Sequence, residues 1–349
     1  MIPRRRFLSL VAASSAAFLP LSRAGAEQAP ESVVWRGTVL GAAASMTLVH
    51  PDRAFARSAI DRCLDEIARL ESIFSLYRAD SAIVRLNASG ELHAPAHEFV
   101  ELLSFALALS TQSDGAFDPT VQSLYRLHAE HFAVPEAAPS GPPPEAIAEV
   151  MQLVDFTAVD VRPDHVRLRR PGMAITLNGL AQGYITDRVA DRLRADGFED
   201  VLIDLGEARA LGRHADGRAW RAVVQDPRDP GRTLFELPLG SGPGALSALA
   251  TSAGEGTRFG ADPRIHHLFD AHTGRSANHY LSVSVAAPRA TLADGLSTAL
   301  SVSPPAAAKT LLAGYPSVRA YLLAPDGRLY SDHLLSSAAT LSASLAASS

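Results

Sequence analysis

Lysine is almost absent from this chain: of 32 lysine and arginine side chains only Lys309 is a lysine. A glycine loop tipped by lysine therefore has no candidate, and an anionic ligand must be held by a metal ion, by arginine or by backbone amides. Cysteine is as scarce. Cys63 stands alone at an apolar helical position, which excludes an internal disulfide and argues against a catalytic thiol. No basic stretch marks a nucleic-acid surface. No internal repeat is visible, and Gly179 and Gly183 do not make a dinucleotide-binding fingerprint.

The 349 residues, 47% of them hydrophobic, suffice for one large domain or two smaller ones with proper cores. The amino terminus carries Arg4-Arg5-Arg6-Phe7-Leu8, a mild apolar run to Leu21, and small residues at Ala24-Gly25-Ala26. This pattern predicts a twin-arginine signal peptide over residues 1–26, with a Sec signal as the alternative. The run is too short for a permanent membrane span and is broken by serines and Pro20. Cleavage after Ala26 removes four arginines and no acid, so the formal net charge moves from -5 to -9. The expected mature protein, residues 27–349, is an acidic periplasmic domain exported by the twin-arginine translocase.

Glu31 to His50 reads as a strand with a glycine- and alanine-rich stretch, where a planar ligand or another backbone could approach closely. Ile60, Leu64, Ile67, Leu70 and Phe74 recur at three and four, which predicts an amphipathic helix from about Asp52 to Phe74. Phe99, Leu102, Leu103, Ala106 and Leu109 predict a second over about 96–112. Prolines within 133–144 predict a stiff loop rather than a domain linker. Two or three strands are expected between Leu153 and Leu177. A strand at Ala174–Leu177 then turns at Asn178-Gly179 into a helix closed by Gly197, a junction suited to a diphosphate. Further strands are expected at 201–205, 220–225, 233–237, 245–250, 319–324 and 328–331, with a helix at 306–312. Runs of strand mixed with single helices indicate an α+β fold in one domain.

The densest chemistry lies between Leu246 and Ala299, where a turn of small hydroxyl and glycine residues precedes a His-rich strand and an acidic helix start. Asp294 and Thr298 are four apart, so on a helix their oxygens face one way. Such an oxygen-only pair suits Mg2+ or Ca2+. Asp294 equally suits a helix start and Thr298 a surface position, and the pair alone leaves both readings open. His266 and His267 are in the same position: either imidazole could serve as a base or be a satisfied strand residue.

Six segments in order resemble one family. They are Phe74-Ser75-x-Tyr77-x-x-Asp80-Ser81 with Leu86-Asn87; Asp114-Gly115-Ala116-Phe117-Asp118-Pro119-Thr120; Asn178-Gly179-x-Ala181-x-Gly183-Tyr184-x-x-Asp187; Ala250-Thr251-Ser252; His267-x-x-Asp270-x-x-Thr273-Gly274; and Ala293-Asp294-x-x-x-Thr298. From about Gly37 to Ala324 the chain resembles the ApbE family of FAD:protein FMN transferases. The resemblance implies an FAD cleft in a single catalytic domain. FAD would be split at its diphosphate, with FMN passing to a threonine or serine of an acceptor protein and AMP leaving. It implies FAD contacts at Leu40, Tyr77, Ala116, Phe117, Asp118, Thr176, Gln182 and Phe269. It implies a metal, Mg2+ with Ca2+ as the alternative, held by Asp294, Ser297, Thr298 and the Gly179 carbonyl, with Asp294 and His267 as catalytic groups and His267 as the base. The chain departs from the family in having Gln182 where Lys or Glu is common, and Gly206-Glu207-Ala208 in place of a Gly-Gly-Asp-like turn. The Asn-Gly-x-Ala-Gln-Gly version together with the signal looks like a NosX-like subset. Its acceptor would be a membrane-bound electron-transfer subunit, NosR-like, which would also bring the protein to the inner membrane. An FAD pyrophosphatase and a non-catalytic flavin carrier are the competing expectations.

Overall fold

A computed structural model describes residues 31–39, 42–240 and 245–331. The expected signal peptide and Leu40 lie outside the described residues.

The first element differs from expectation. Glu31–His50 is an antiparallel hairpin of β1 (Glu31–Val39) and β2 (Ala42–His50), paired from Glu31 with His50 to Val39 with Ala42, so the small residues sit about its tip. Helix α1 (Arg53–Phe74) starts where the Asp52 carboxylate accepts from the amides of Ala54 and Phe55 at 2.9 and 3.0 Å. It buries Ile60, Cys63, Ile67, Leu70 and Phe74, each apolar side chain worth about 1.5–3 kcal/mol when fully removed from water. Burial pushes the Cys63 thiol up to about 12, so it stays protonated and inert.

Helix α2 (Ala82–Ser89), capped by Ser81, and β3 (Glu91–His93) follow, then α3 (His97–Gln112). Helix α4 (Gln122–Ala133) and α5 (Pro144–Met151) flank the proline-rich loop; α2, α4 and α5 span only eight, twelve and eight residues, too few turns for sequence patterning to separate them from loop. Two strands lie in the next segment, β4 (Val159–Val161) and β5 (His165–Leu168), with β3 beside β5.

No strand forms at Ala174–Leu177. The segment is extended, but its partner is a side chain: Asn87 Nδ2 donates to Ile175 O at 2.9 Å and Asn87 Oδ1 accepts from Ile175 N at 2.7 Å. One amide side chain satisfies the donor and acceptor that a neighbouring strand would otherwise have met. Helix α6 (Ala181–Ala195) follows, with Gly197 beyond its end.

The remaining strands are β6 (Val201–Asp204), β7 (Ala208–Leu211), β8 (Trp220–Asp226), β9 (Asp229–Leu239), β10 (Ala248–Ala253), β11 (Phe269–Asp270), β12 (Arg275–Ser276) and β13 (Ser282–Ala287). Helix α7 (Ala290–Val302), α8 (Pro305–Ala313), β14 (Arg319–Leu323) and β15 (Leu329–Ser331) complete the chain as described. The expected His-rich strand is irregular around His266, which is joined to Arg258 by an isolated bridge. Ser276 pairs one residue of it, His266 N donating to Ser276 Oγ at 2.9 Å and Ser276 Oγ donating to His266 O at 2.6 Å, while Ile265 O, His267 N and Leu268 O bond the backbone of Phe259, Thr257 and Ala277.

Eight strands form one sheet in the order β1-β2-β6-β7-β10-β13-β14-β15, antiparallel throughout. Alternation along β13 shows how both faces are covered. Val283 and Val285 join the core beneath α1, α6 and α7, while Ala286 faces a second core formed with Trp220, Val224 and Phe235 of the β8–β9 ribbon. The architecture is α+β in a single domain, as the element order implied. No helix among the described residues is long and apolar enough to cross a membrane.

Candidate active site

A cavity of about 290 Å³ opens where α6, α7, β10, the Ala116–Pro119 turn and the Gly256–Phe269 segment converge. It gathers Tyr77, Ala116, Phe117, Asp118, Thr176, Gly179, Gln182, His267, Phe269, Asp294 and Thr298, drawn from residues 77 to 298 of the chain. Ser297 is the exception. It is fully buried behind the wall, where Ser297 Oγ donates to Asp294 O at 2.9 Å and lies 2.8 Å from Ser252 Oγ. One helical step rotates it away from the Thr298 face, and it does not reach the cavity lining. Ser252, on β10, does line the cavity, and its hydroxyl is 3.3 Å from Thr298 Oγ1.

Asp294 is 4% exposed and sits in the second turn of α7, not at its start. Its Oδ2 accepts from Gly183 N at 3.0 Å. Both nearby glycines are required by close approach. A Cβ on Gly183 would lie 2.3 Å from Ala290 O, and one on Gly179 would lie 2.8 Å from Thr298 Oγ1. The Gly179 backbone therefore reaches the Asp294–Thr298 face of α7 from a separate segment, as a hard-cation site built from carboxylate, hydroxyl and carbonyl oxygens would need.

Charge supports the same reading. Asp118, Glu207 and Asp294 line the cavity, and no lysine or arginine does among the described residues. A diphosphate entering such a lining meets carboxylates with no lysine or arginine beside them, which favours a cation or backbone amides as its counter-charge. Among the described residues no cluster of three or more His, Cys, Asp or Glu forms a metal group. The donor set here has one carboxylate, with hydroxyl and carbonyl oxygens around it, and it fits a hard cation rather than a thiolate- or imidazole-seeking one.

The other wall is apolar. Leu76, Phe117, Val121, Tyr125, Leu268 and Phe269 line it, and Tyr77 stands 67% exposed at the rim. Behind Phe269 the ring of buried His128 lies 4.7 Å away, centroid to centroid. Asp118 contributes less than its position suggests. Oδ1 accepts from Thr120 N at 2.7 Å and from Thr120 Oγ1 at 2.6 Å, and Oδ2 accepts from Phe156 N at 3.2 Å, so this carboxylate holds the turn that presents Phe117. Burial raises its pKa above the usual carboxylate range. Gln182 is 7% exposed, lines the cavity, and its buried Nε2 has no hydrogen-bond partner within the protein, as expected of a donor that meets a ligand.

The two histidines separate cleanly. His266 is buried, accepts from Leu268 N at its Nδ1 at 3.3 Å, and is pushed down to about 4 by burial, which keeps it neutral and structural. His267 lines the cavity with Nδ1 3.2 Å from Thr257 O. A carbonyl can only accept, so Nδ1 carries the proton and Nε2 of the neutral ring carries the basic lone pair. Gly206, Glu207, Thr251, Ser252 and Thr257 also line the cavity, though sequence reasoning assigned none of them a role there. Ser252 and Glu207 lay inside segments already singled out, and only the sheet pairing shows which of their residues face the cavity.

Residues 40–322 match the ApbE family. A protein named FAD:protein FMN transferase from Treponema pallidum is 30% identical over 299 residues, which span 79% of this chain and 80% of that protein. Its namesake from Vibrio cholerae is 30% identical over 289 residues, 80% of this chain and 84% of that one. Among solved structures, flavin transferase ApbE from Vibrio cholerae has a TM-score of 0.72 at 26% identity, covering 86% of this chain and 96% of its own. The ApbE protein of Thermotoga maritima has a TM-score of 0.74 at 26% identity with the same coverage. With the family match running through both walls of the cavity, from the Tyr77 rim to the Asp294–Thr298 face, the chain belongs to the ApbE family.

Proposed function

We propose that this protein transfers the FMN half of FAD to a threonine or serine hydroxyl of an acceptor protein. The observation that carries this reading is that His267, the Asp294–Thr298 face and the Phe117–Phe269 wall share one cavity, in a chain whose relatives are named for this reaction. The flavin ring fits the apolar wall, and the diphosphate lies toward α7. Gln182 Nε2 donates to the bound dinucleotide. Gly179 O, Asp294 and Thr298 would hold Mg2+, or Ca2+ in its place, which when bound offsets diphosphate charge. His267 Nε2 takes the proton of the acceptor hydroxyl as its oxygen bonds to the FMN phosphorus. The bond from that phosphorus to the bridging oxygen breaks, and AMP leaves with the electron pair.

Export and partner choice belong to the same proposal. The arginine pair and apolar run in residues 1–26 support twin-arginine export to the periplasm, and the Asn178–Gly183 sequence supports a NosX-like assignment with a membrane-bound electron-transfer subunit, NosR-like, as acceptor.

The test is transfer itself, with mature protein, FAD, Mg2+ and an acceptor domain bearing an exposed threonine, read by in-gel flavin fluorescence and intact mass. A covalent FMN adduct lost with chelator and with the acceptor Thr replaced by Ala is expected. AMP and free FMN without adduct would make the protein a pyrophosphatase. FAD bound and unchanged across several acceptors would make it a carrier.

A further inference from the structure

Asp187 lies one turn beyond Gly183 on α6, fully buried and away from the cavity wall. Its carboxylate reaches the start of α7. Oδ1 accepts from Ala290 N at 2.9 Å, and Oδ2 accepts from Thr291 N at 2.9 Å and from Thr291 Oγ1 at 2.7 Å. Arg289, the residue at the N-cap position of α7, makes no side-chain cap of its own, so the cap is supplied by another helix. Arg209 on β7, itself 4% exposed, forms an ion pair with Asp187 from behind, and Arg289 Nε lies 3.2 Å from Oδ2 while its NH2 bonds Asp191 at 2.9 Å.

A buried ion pair of this kind adds little net stability, because desolvating both charges offsets their attraction, and apolar packing would hold two helices at least as well. What it supplies is direction: three bonds to adjacent atoms at one helix end fix both rotation and translation of that helix. The proposed oxygen donors are divided across this junction, with Gly179 on the approach to α6 and Asp294 and Thr298 on α7. Mg2+ tolerates little departure from its preferred geometry. We propose that Asp187, held by Arg209, is a positioning residue. By bolting the start of α7 to α6 it sets the spacing between the Gly179 carbonyl and the Asp294–Thr298 oxygens, and so the affinity of the site for the cation that accompanies FAD.

This rests on the transferase reading for its purpose, but its test is a binding measurement and stands if transfer fails. FAD affinity of the mature protein is measured by titration with Mg2+ and with chelator, alongside amide exchange at Ala290 and Thr291 and the thermal midpoint. In Asp187→Asn the Mg2+ concentration needed for half of the full effect on FAD binding should rise on the order of ten- to a hundredfold. FAD affinity in chelator should stay within about twofold, since the aromatic wall is untouched, and exchange at Ala290 and Thr291 should quicken. Thr291→Val, which removes one of the three bonds and leaves the charges paired, should shift Mg2+ dependence in the same direction by less; if Asp187→Asn does not fold, this variant decides. Unchanged Mg2+ dependence despite faster exchange would overturn the proposal. So would loss of chelator-insensitive FAD binding in step with the Mg2+ effect, or a parent protein whose FAD affinity ignores Mg2+.

Discussion

Asp294 Oδ2 and the backbone amide of Gly183 meet at 3.0 Å, joining two helices whose contact leaves no room for a side chain at position 183. The neighbour that a Cβ would strike is the Ala290 carbonyl, which is backbone and cannot rotate aside. Gly183→Ala should therefore lower stability by about 2–3 kcal/mol through forced separation of α6 and α7. Chemical denaturation measures this; a variant as stable as its parent would show that the helices do not pack this closely.

Removing the carboxylate at the same junction should act on rate. Asp294→Ala is expected to slow FMN transfer about a hundredfold or more, some 3 kcal/mol of barrier. FAD binding in chelator should persist, because the apolar wall is intact. An unchanged single-turnover rate would remove Asp294 from the reaction.

How much of this was legible beforehand depends on range. Asp294 and Thr298 could be paired from sequence because four residues on a helix is a local rule, and α1 could be drawn from the spacing of Ile60, Ile67 and Leu70. The family resemblance singled out His267, but local pattern alone left it level with His266, since the distinction turns on Ser276 and Thr257, each ten residues away. Asn87 is a similar case: its two bonds to Ile175 span 88 positions and replace a strand pairing that local pattern would have assigned to the backbone. Ser297 was placed beside Asp294 correctly in sequence, yet its hydroxyl is taken up by its own helix and by Ser252.

His267→Gln should depress transfer while leaving FAD affinity intact, because glutamine can hydrogen-bond but cannot take a proton at neutral pH. The dependence of transfer rate on pH should lose its acid limb in the variant. A rate profile that keeps this limb would assign the base to another group.

His266 predicts a separate pH effect, on stability alone. Its pKa is about 4 in the folded protein, against about 6.5 in an unfolded chain. Between those values the unfolded state binds the extra proton, so this residue's contribution is complete above about pH 6.5 and is lost as pH falls toward 4, on the order of 3 kcal/mol in all. Denaturation curves at pH 7 and pH 5 should show a steeper loss for the parent than for His266→Gln. Equal losses would mean that His266 is protonated in the folded state.

Among the described residues no lysine or arginine lines the cavity, so a cation bound beside the dinucleotide would couple the two bindings. Whatever factor the cation adds to dinucleotide affinity, the dinucleotide must add to cation affinity, since the two bindings close a thermodynamic cycle. Such a cleft would sense coincidence by degree, holding the dinucleotide through its apolar wall alone and more tightly where the ion is also present. A fixed lysine in that wall would hold the dinucleotide equally with or without the ion; here the ion would set how firmly the substrate is held.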